Sequence, residues 1–219
     1  MDTDLLGEIP LFKVLGQEDR MLLASDFVLR KCPKNTIVIN EGDDTDSLYI
    51  ICQGRVKIYL NDEMGKQIIL EIEGAGGYFG EIALLDEGPR SASVMTLEDC
   101  CFAVLRKKDF INYLADHPLL AVSIMRGLTR RLRVLTENAR SLAFMDVYGR
   151  VARQLMTLAS KRADGNWVIE DRLTLNDLAN RIGASTKMVS RIMRDLRKGG
   201  YIRKESQQIV IEQNLPPAW

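Results

Sequence analysis

Phe79-Gly80-Glu81-Ile82-Ala83-Leu84-Leu85-Asp86-Glu87-Gly88-Pro89-Arg90-Ser91-Ala92 places a glycine–acid pair nine residues ahead of an Arg-Ser pair. The residue types suit a small anion that also carries hydroxyls. A guanidinium meets a phosphodiester bidentately. A hydroxyl and free backbone N–H groups complete an anion cradle, and a carboxylate accepts a sugar hydroxyl. A surface turn with a stray Glu81–Arg90 ion pair is the plainer reading. It would require Gly, acid, Pro, Arg and small residues to coincide without purpose. The candidate ligand residues in the stretch are Gly80, Glu81, Ile82, Arg90, Ser91 and Ala92.

The surroundings are strand-rich. Short β-type runs such as Thr36–Ile39, Leu48–Ile51, Arg55–Leu60 and Gln67–Ile72 alternate with turn signals at Glu41-Gly42-Asp43, Gln53-Gly54, Glu63-Met64-Gly65 and Gly74–Gly77. Many short strands at regular spacing predict a jelly-roll-like barrel from about Val28 to Val104. Ahead of it, Leu5, Leu6, Ile9, Leu11, Phe12, Leu15, Leu22 and Leu23 give residues 5–24 the apolar face of short helices.

After the strands the period changes. Residues 108–138 read as one long helix, on which Ala121, Met125, Leu128, Leu132, Leu135, Ala139 and Leu142 alternate steps of four and three. That is an a/d heptad and predicts a coiled-coil seam in a parallel homodimer. Residues 141–160 read as a further amphipathic helix, and Arg162–Asn166 as a turn. Trp167–Ile169 and Gln208–Ile211 read as short strands.

Between those strands lies a helix-turn-helix pattern. Thr174 caps the first helix, which buries Leu178, Ala179 and Ile182, and Gly183 ends it. Ser185 caps the second, which buries Val189, Ile192 and Leu196. Its remaining polar face is Thr186, Lys187, Ser190, Arg191 and Arg194, the kind of face a major-groove helix presents. Gly199-Gly200 ends that helix, and Tyr201–Lys204 starts a basic wing. Thr174, Asn176, Ser185, Thr186, Lys187, Ser190 and Arg191 are the candidate DNA-binding residues.

Charge divides along the same line. Residues 1–112 hold 12 Lys/Arg and 20 Asp/Glu, a balance of −8, and residues 113–219 hold 18 and 10, a balance of +8. The basic half is therefore the nucleic-acid candidate. No apolar run approaches the roughly 18–20 residues of a membrane span, and the acidic start Met1–Asp4 has no signal-peptide core, so a cytoplasmic protein without membrane contact is expected. The four cysteines, Cys32, Cys52, Cys100 and Cys101, make no C-x-x-C pair and no cluster with the single histidine, His117. No metal site is expected from that spacing. With no nucleophile–His–acid set and no Walker-type loop, the chain is not read as an enzyme.

The 79–92 stretch resembles the phosphate-binding cassette of cyclic-nucleotide-binding domains, known from bacterial regulators, regulatory subunits of the cAMP-dependent kinase and gated channels. The spacing from Glu81 to Arg90 is that of the kinase-subunit cassettes. The resemblance implies that Glu81 takes the ribose 2′-OH, and Arg90 and Ser91 the cyclic phosphate. Cassette, long helix, Leu142–Val147 and winged helix-turn-helix follow in the order of the cyclic-AMP receptor protein/fumarate–nitrate regulator (CRP/FNR) superfamily of bacterial transcription factors. The likeness is closest to its cyclic-AMP receptor branch. It implies an α+β fold in three parts: a cyclic-nucleotide-binding β-roll over 1–107, a coiled-coil dimerisation helix over 108–138, and a winged helix-turn-helix DNA-binding domain over 139–219. It further implies cAMP as allosteric ligand with cGMP next, palindromic double-stranded DNA, a second copy of the chain and RNA polymerase as partners, and Arg131 beside the ligand and Glu81.

Two departures stand out. Leu135-Thr136 replaces the Thr-Ser pair that meets adenine in the cyclic-AMP receptors. Thr186 and Lys187 replace an arginine and a glutamate in the recognition helix. Lysine only donates, typically to guanine, whereas glutamate accepts from cytosine N4, so a different operator is expected. The alternatives are the same architecture with cGMP, a cyclic dinucleotide or no ligand, and a cyclic-nucleotide-binding regulatory subunit without DNA binding. The last would not need residues 174–211 in winged-helix order.

Overall fold

The computed structural model describes residues 6–7, 9–162 and 165–215; the expectations at Met1–Leu5, Ala163 and Asp164 lie outside them. The chain packs into two units. One holds the residues up to Leu60 together with Ile69–Arg133, the other Asn61–Ile68 with Val134 onward.

The first unit has a helix, Gln17–Asp26 (α1), followed by a β-roll of two four-stranded sheets. One has the order β1 (Val28–Cys32), β8 (Cys100–Arg106), β3 (Ser47–Gln53), β6 (Tyr78–Phe79). The other runs β2 (Ile37–Ile39), β7 (Ser93–Thr96), β4 (Val56–Asn61), β5 (Gln67–Glu73). All pairings described within the roll are antiparallel. Strand β3 explains its own composition. Tyr49 and Ile51 face Phe79 and Phe102 between the sheets, while Leu48 and Ile50 face a second core built with Leu11, Phe12, Leu23 and Phe110. A strand buried on both faces reads as a continuous apolar run rather than an alternating one. Tyr49 stacks on Phe79 with centroids 5.0 Å apart, and Phe102 meets both edge-on.

The helix expected over 108–138 is two helices. Lys107–Asp116 (α3) stops at His117, whose φ of −126° and ψ of 82° are not helical, and Pro118–Phe144 (α4) starts afresh. Proline drives its predecessor out of the helical region, which accounts for the break. Helix α4 also continues to Phe144, so the predicted 141–160 helix is shorter. It becomes Val147–Leu158 (α5), capped by Asp146 accepting from Gly149 N at 2.7 Å. Helix α4 has two faces. Leu120 and Ile124 are buried in the β-roll core, and Met125, Leu132 and Leu135 of the heptad are exposed. Leu128 departs from the expected seam by packing in part against the core.

The second unit gathers α5, α6 (Leu175–Ile182) and α7 (Thr186–Lys198) on a sheet of order β11 (Ile202–Glu205), β12 (Gln208–Ile211), β10 (Trp167–Ile169), β9 (Ser160–Lys161). Val151, Leu155, Leu178, Ile182, Val189 and Leu196 fill its core. Among the described residues no helix is long and apolar enough to cross a membrane, and all four cysteines are free thiols.

Candidate functional site: a buried Arg–Glu cradle and a winged-helix surface

The cassette folds as a tight turn into the short helix Glu81–Leu85 (α2). Gly80 enters it at φ +88°, and a Cβ there would lie 2.6 Å from Arg90 Nη1 and 2.9 Å from Ser47 O. Only glycine satisfies both the left-handed backbone and this approach. Glu81 and Arg90 are 1% and 3% exposed, two charged residues in a roll interior. The Arg90 backbone is pinned by Asp43 and Gly42, with Arg90 N donating to Asp43 O at 3.0 Å and Gly42 N to Arg90 O at 2.8 Å. Its guanidinium donates to Thr45 Oγ1 (2.7 Å), Gly80 O (2.6 Å) and Ser47 O (2.7 Å). Burial lowers its pKa, and the charges of Tyr49, Asp46 and Glu81 offset part of that. A guanidinium has five N–H groups, so these three bonds leave two uncommitted among the described residues.

Arg131 on α4 is the second anchor. Its Nη1 pairs with Glu81, Nε donates to Glu71 Oε2 at 3.0 Å, and Nη2 donates to Glu73 Oε1 at 3.0 Å and to Tyr78 O at 2.6 Å. The Tyr78 ring lies against the same guanidinium, 4.9 Å from centroid to Cζ. Burial opposes the charge on Arg131, but Glu81, the hydrogen bond with Glu73 and the charge of Glu71 outweigh it and push its pKa up. Glu71 goes the other way for a carboxylate. Burial first and Glu73 second raise its pKa, and Arg131 recovers only part, because three carboxylates share one guanidinium.

The structure thus brings Gly80, Glu81, Arg90 and Arg131 together. Ile82 and Ser91 are exposed and Ala92 half-buried beside them. Leu135 and Thr136 lie further along α4, exposed and in the second unit. Sequence reasoning missed Thr45, Glu71, Glu73 and Tyr78. A signal existed for two of them. In β5, residues 69, 71 and 73 share a face by the two-residue strand period, and Ile69 is buried, so both glutamates point where Ile69 does.

In the second unit, Thr174 and Asp177 form a reciprocal capping box. Thr174 Oγ1 accepts from Asp177 N at 3.0 Å, and Asp177 Oδ2 accepts from Thr174 N at 3.2 Å. Gly183 closes α6 at φ +65°, and Ser185 caps α7 by accepting from Met188 N at 3.3 Å. Asn176, Ser185, Thr186, Lys187 and Arg191 are exposed, Ser190 is half-buried, and Thr186 Oγ1 donates to Asn176 Oδ1 at 3.4 Å. A groove of about 700 Å³ between α7 and the wing adds residues that the sequence reading left out of the site. Arg172, Arg194, Arg197, Arg203 and Lys204 line it together with Thr174 and Ser190. Among the described residues, no group of three or more His, Cys, Asp or Glu is placed to hold a metal ion.

The chain matches two known domain families. Residues 29–117 match the cyclic nucleotide-binding domain, and residues 149–213 the Crp-like helix-turn-helix domain. The chain is 34% identical over 182 residues to a CRP-like cAMP-activated global transcriptional regulator of Mycobacterium tuberculosis, covering 82% of this chain and 81% of that one. It is 33% identical over 189 residues to the cAMP-activated global transcriptional regulator CRP of Haemophilus influenzae, covering 84% and 83%. Among solved structures, the Thermus thermophilus catabolite activator protein aligns with a TM-score of 0.56 at 29% identity over 93% of each chain. The c-di-GMP responsive global regulator of Xanthomonas campestris shares the fold, with a TM-score of 0.78 at 24% identity over 90% of this chain and 100% of that one. With likeness of this extent across both units, the chain belongs to the CRP/FNR family of transcription regulators.

Proposed function

We propose that this protein is a homodimeric regulator that binds palindromic DNA in the cytoplasm, acts with RNA polymerase, and is controlled by a cyclic mononucleotide, cAMP before cGMP. The observation that carries the reading is the pairing of buried Glu81 with half-buried Arg131 beside the buried Arg90. Two uncommitted N–H groups on Arg90 suit the two free oxygens of a cyclic phosphodiester, with Ser91 at their side. Glu81 offers its second oxygen to a ribose 2′-OH. Because Arg131 belongs to α4, whatever engages Glu81 is felt by the helix that carries the heptad seam. Exposed Met125, Leu132 and Leu135 support pairing of that seam with a second copy. Lys187 and Arg191 are assigned to base edges, with Thr186 and Ser190 beside them. Thr174, Asn176 and Ser185 are assigned to phosphates at helix starts.

A cyclic dinucleotide is the second reading, favoured by Leu135, which brings no hydroxyl to a base. Calorimetric titration of the wild type and Arg90→Ala with cAMP, cGMP and c-di-GMP tests both. Cyclic-mononucleotide binding is expected in the wild type and its loss in the variant, since a charge-assisted contact contributes about 1.5–3 kcal/mol. Wild-type affinity in Arg90→Ala would remove the assignment, and exclusive binding of c-di-GMP would select the second reading.

A further inference from the structure

The charge cluster around Glu81 carries more negative charge than its assigned task needs. One carboxylate suffices for a ribose hydroxyl, and Glu81 supplies it. Glu71 and Glu73 add two more on the inward face of β5, both within 3.0 Å of Arg131. Their side chains are 29% and 18% exposed, so solvent screens them only in part. Three carboxylates stand against Arg131 and Arg90. Asp43 and Asp46 are close enough to influence Arg90 as well.

We propose that Glu71 and Glu73 are specificity-determining residues of the nucleotide site, which set its affinity according to the charge of the ligand. The inference rests on the cyclic-nucleotide reading above. The surplus charge opposes the entry of a phosphate anion, and the opposition grows with each negative charge the ligand carries. A cyclic mononucleotide, with one charge, meets it once; a cyclic dinucleotide, with two, meets it twice. The two glutamates also occupy Arg131 Nε and Nη2, which limits that guanidinium to a single bond with Glu81. If they served only to position Arg131, neutralising them would loosen the pocket and weaken binding. If they set affinity through charge, neutralising them strengthens it. The two roles predict opposite signs.

The test is calorimetric titration of the full-length wild type and the Glu71→Gln/Glu73→Gln double variant with cAMP, at low and at moderate salt. Glutamine keeps an amide oxygen to accept from Arg131, so the change is chiefly one of charge. The double variant is expected to bind cAMP several-fold more tightly at low salt. The gain should narrow as salt is added, because screening acts on charge and not on packing. The single variants Glu71→Gln and Glu73→Gln should each show a smaller gain, which keeps the test decisive if the double variant folds poorly. Equal or weaker binding in all variants, or a gain indifferent to salt, would overturn the proposal. Loss of binding in Arg90→Ala alongside unchanged glutamine variants would leave the ligand reading standing and this inference refuted. No cyclic-nucleotide binding by any of the proteins would overturn both.

Discussion

Glu71 is the residue whose charge state most directly tests the electrostatics of the roll. Its pKa is raised in the fold, by burial first and by Glu73 next, with Arg131 pulling the other way and Glu81 sharing the same guanidinium. A carboxyl whose folded pKa exceeds its unfolded value costs stability when ionised. The protonated form favours the fold below the unfolded pKa, and that advantage disappears as pH rises through the folded pKa. Glu71→Gln is therefore expected to be more stable than the wild type at neutral pH. The gap should close as pH falls and Glu71 takes up its proton. Urea melts of both proteins from neutral to mildly acidic pH measure it; a gap that widens on acidification would contradict the shift. That Gly80, Glu81 and Arg90 lie together was legible from the sequence, because all three fall within one short stretch. The role of Glu73 was not, because it depends on a helix contact 58 residues away.

Helix α4 shows what a pattern conveys and what it conceals. The heptad was legible because step sizes of four and three survive in the sequence whatever surrounds them. The second, buried face through Leu120 and Ile124 hides among the same apolar residues, and only the β-roll distinguishes it. Gly127 is a further element-scale feature. A Cβ there would sit 2.0 Å from Tyr78 Oη, which is itself buried without a hydrogen-bond partner among the described residues. Alanine normally stabilises a helix interior over glycine by about 0.5–1 kcal/mol. Gly127→Ala is expected to do the reverse here, lowering Tm, and Gly127→Ala/Tyr78→Phe should recover part of the loss by removing the clashing oxygen. Thermal melts of the two variants decide it; a stabilised Gly127→Ala would show that α4 shifts freely on the roll. On α7, Lys187 is exposed and outside the groove beside the wing. Lys187→Glu should move preference at one base pair per half-site toward cytosine, whose N4 amino group donates to a carboxylate, worth about 1–3 kcal/mol of discrimination. Selection from random DNA with both proteins reads this directly. An unchanged half-site would mean that Lys187 faces phosphate or solvent.

At the scale of the whole chain, a balance of −8 over residues 1–112 and +8 over residues 113–219 separates the two tasks electrostatically. The basic groove of Arg172, Arg194, Arg197, Arg203 and Lys204 concentrates that positive charge beside the recognition helix. DNA affinity should accordingly fall by orders of magnitude between low and moderate salt as counterions compete. Linkage adds a sterner requirement. Whatever factor the cyclic nucleotide contributes to DNA affinity, operator DNA must contribute to nucleotide affinity. Nucleotide titrations with and without operator, and the converse, must return one factor; two different factors would mean that the chain does not reach a single coupled equilibrium. The order of the two domains was legible from charge and motif together. The grouping of the tip Asn61–Ile68 with Val134 onward is a matter of packing, which no local sequence pattern carries.

Strand β3 lies between β8 and β6 with cores on both of its faces. Local openings that expose α2 or the loops need not disturb it, so its amides are freed chiefly when the roll as a whole comes apart. In native-state hydrogen exchange, Leu48–Ile51 should be the last amides of the roll to take up deuterium. Their exchange free energy should then match the global stability of the unit, giving a clock for complete unfolding that the nucleotide, by binding only the folded roll, would slow.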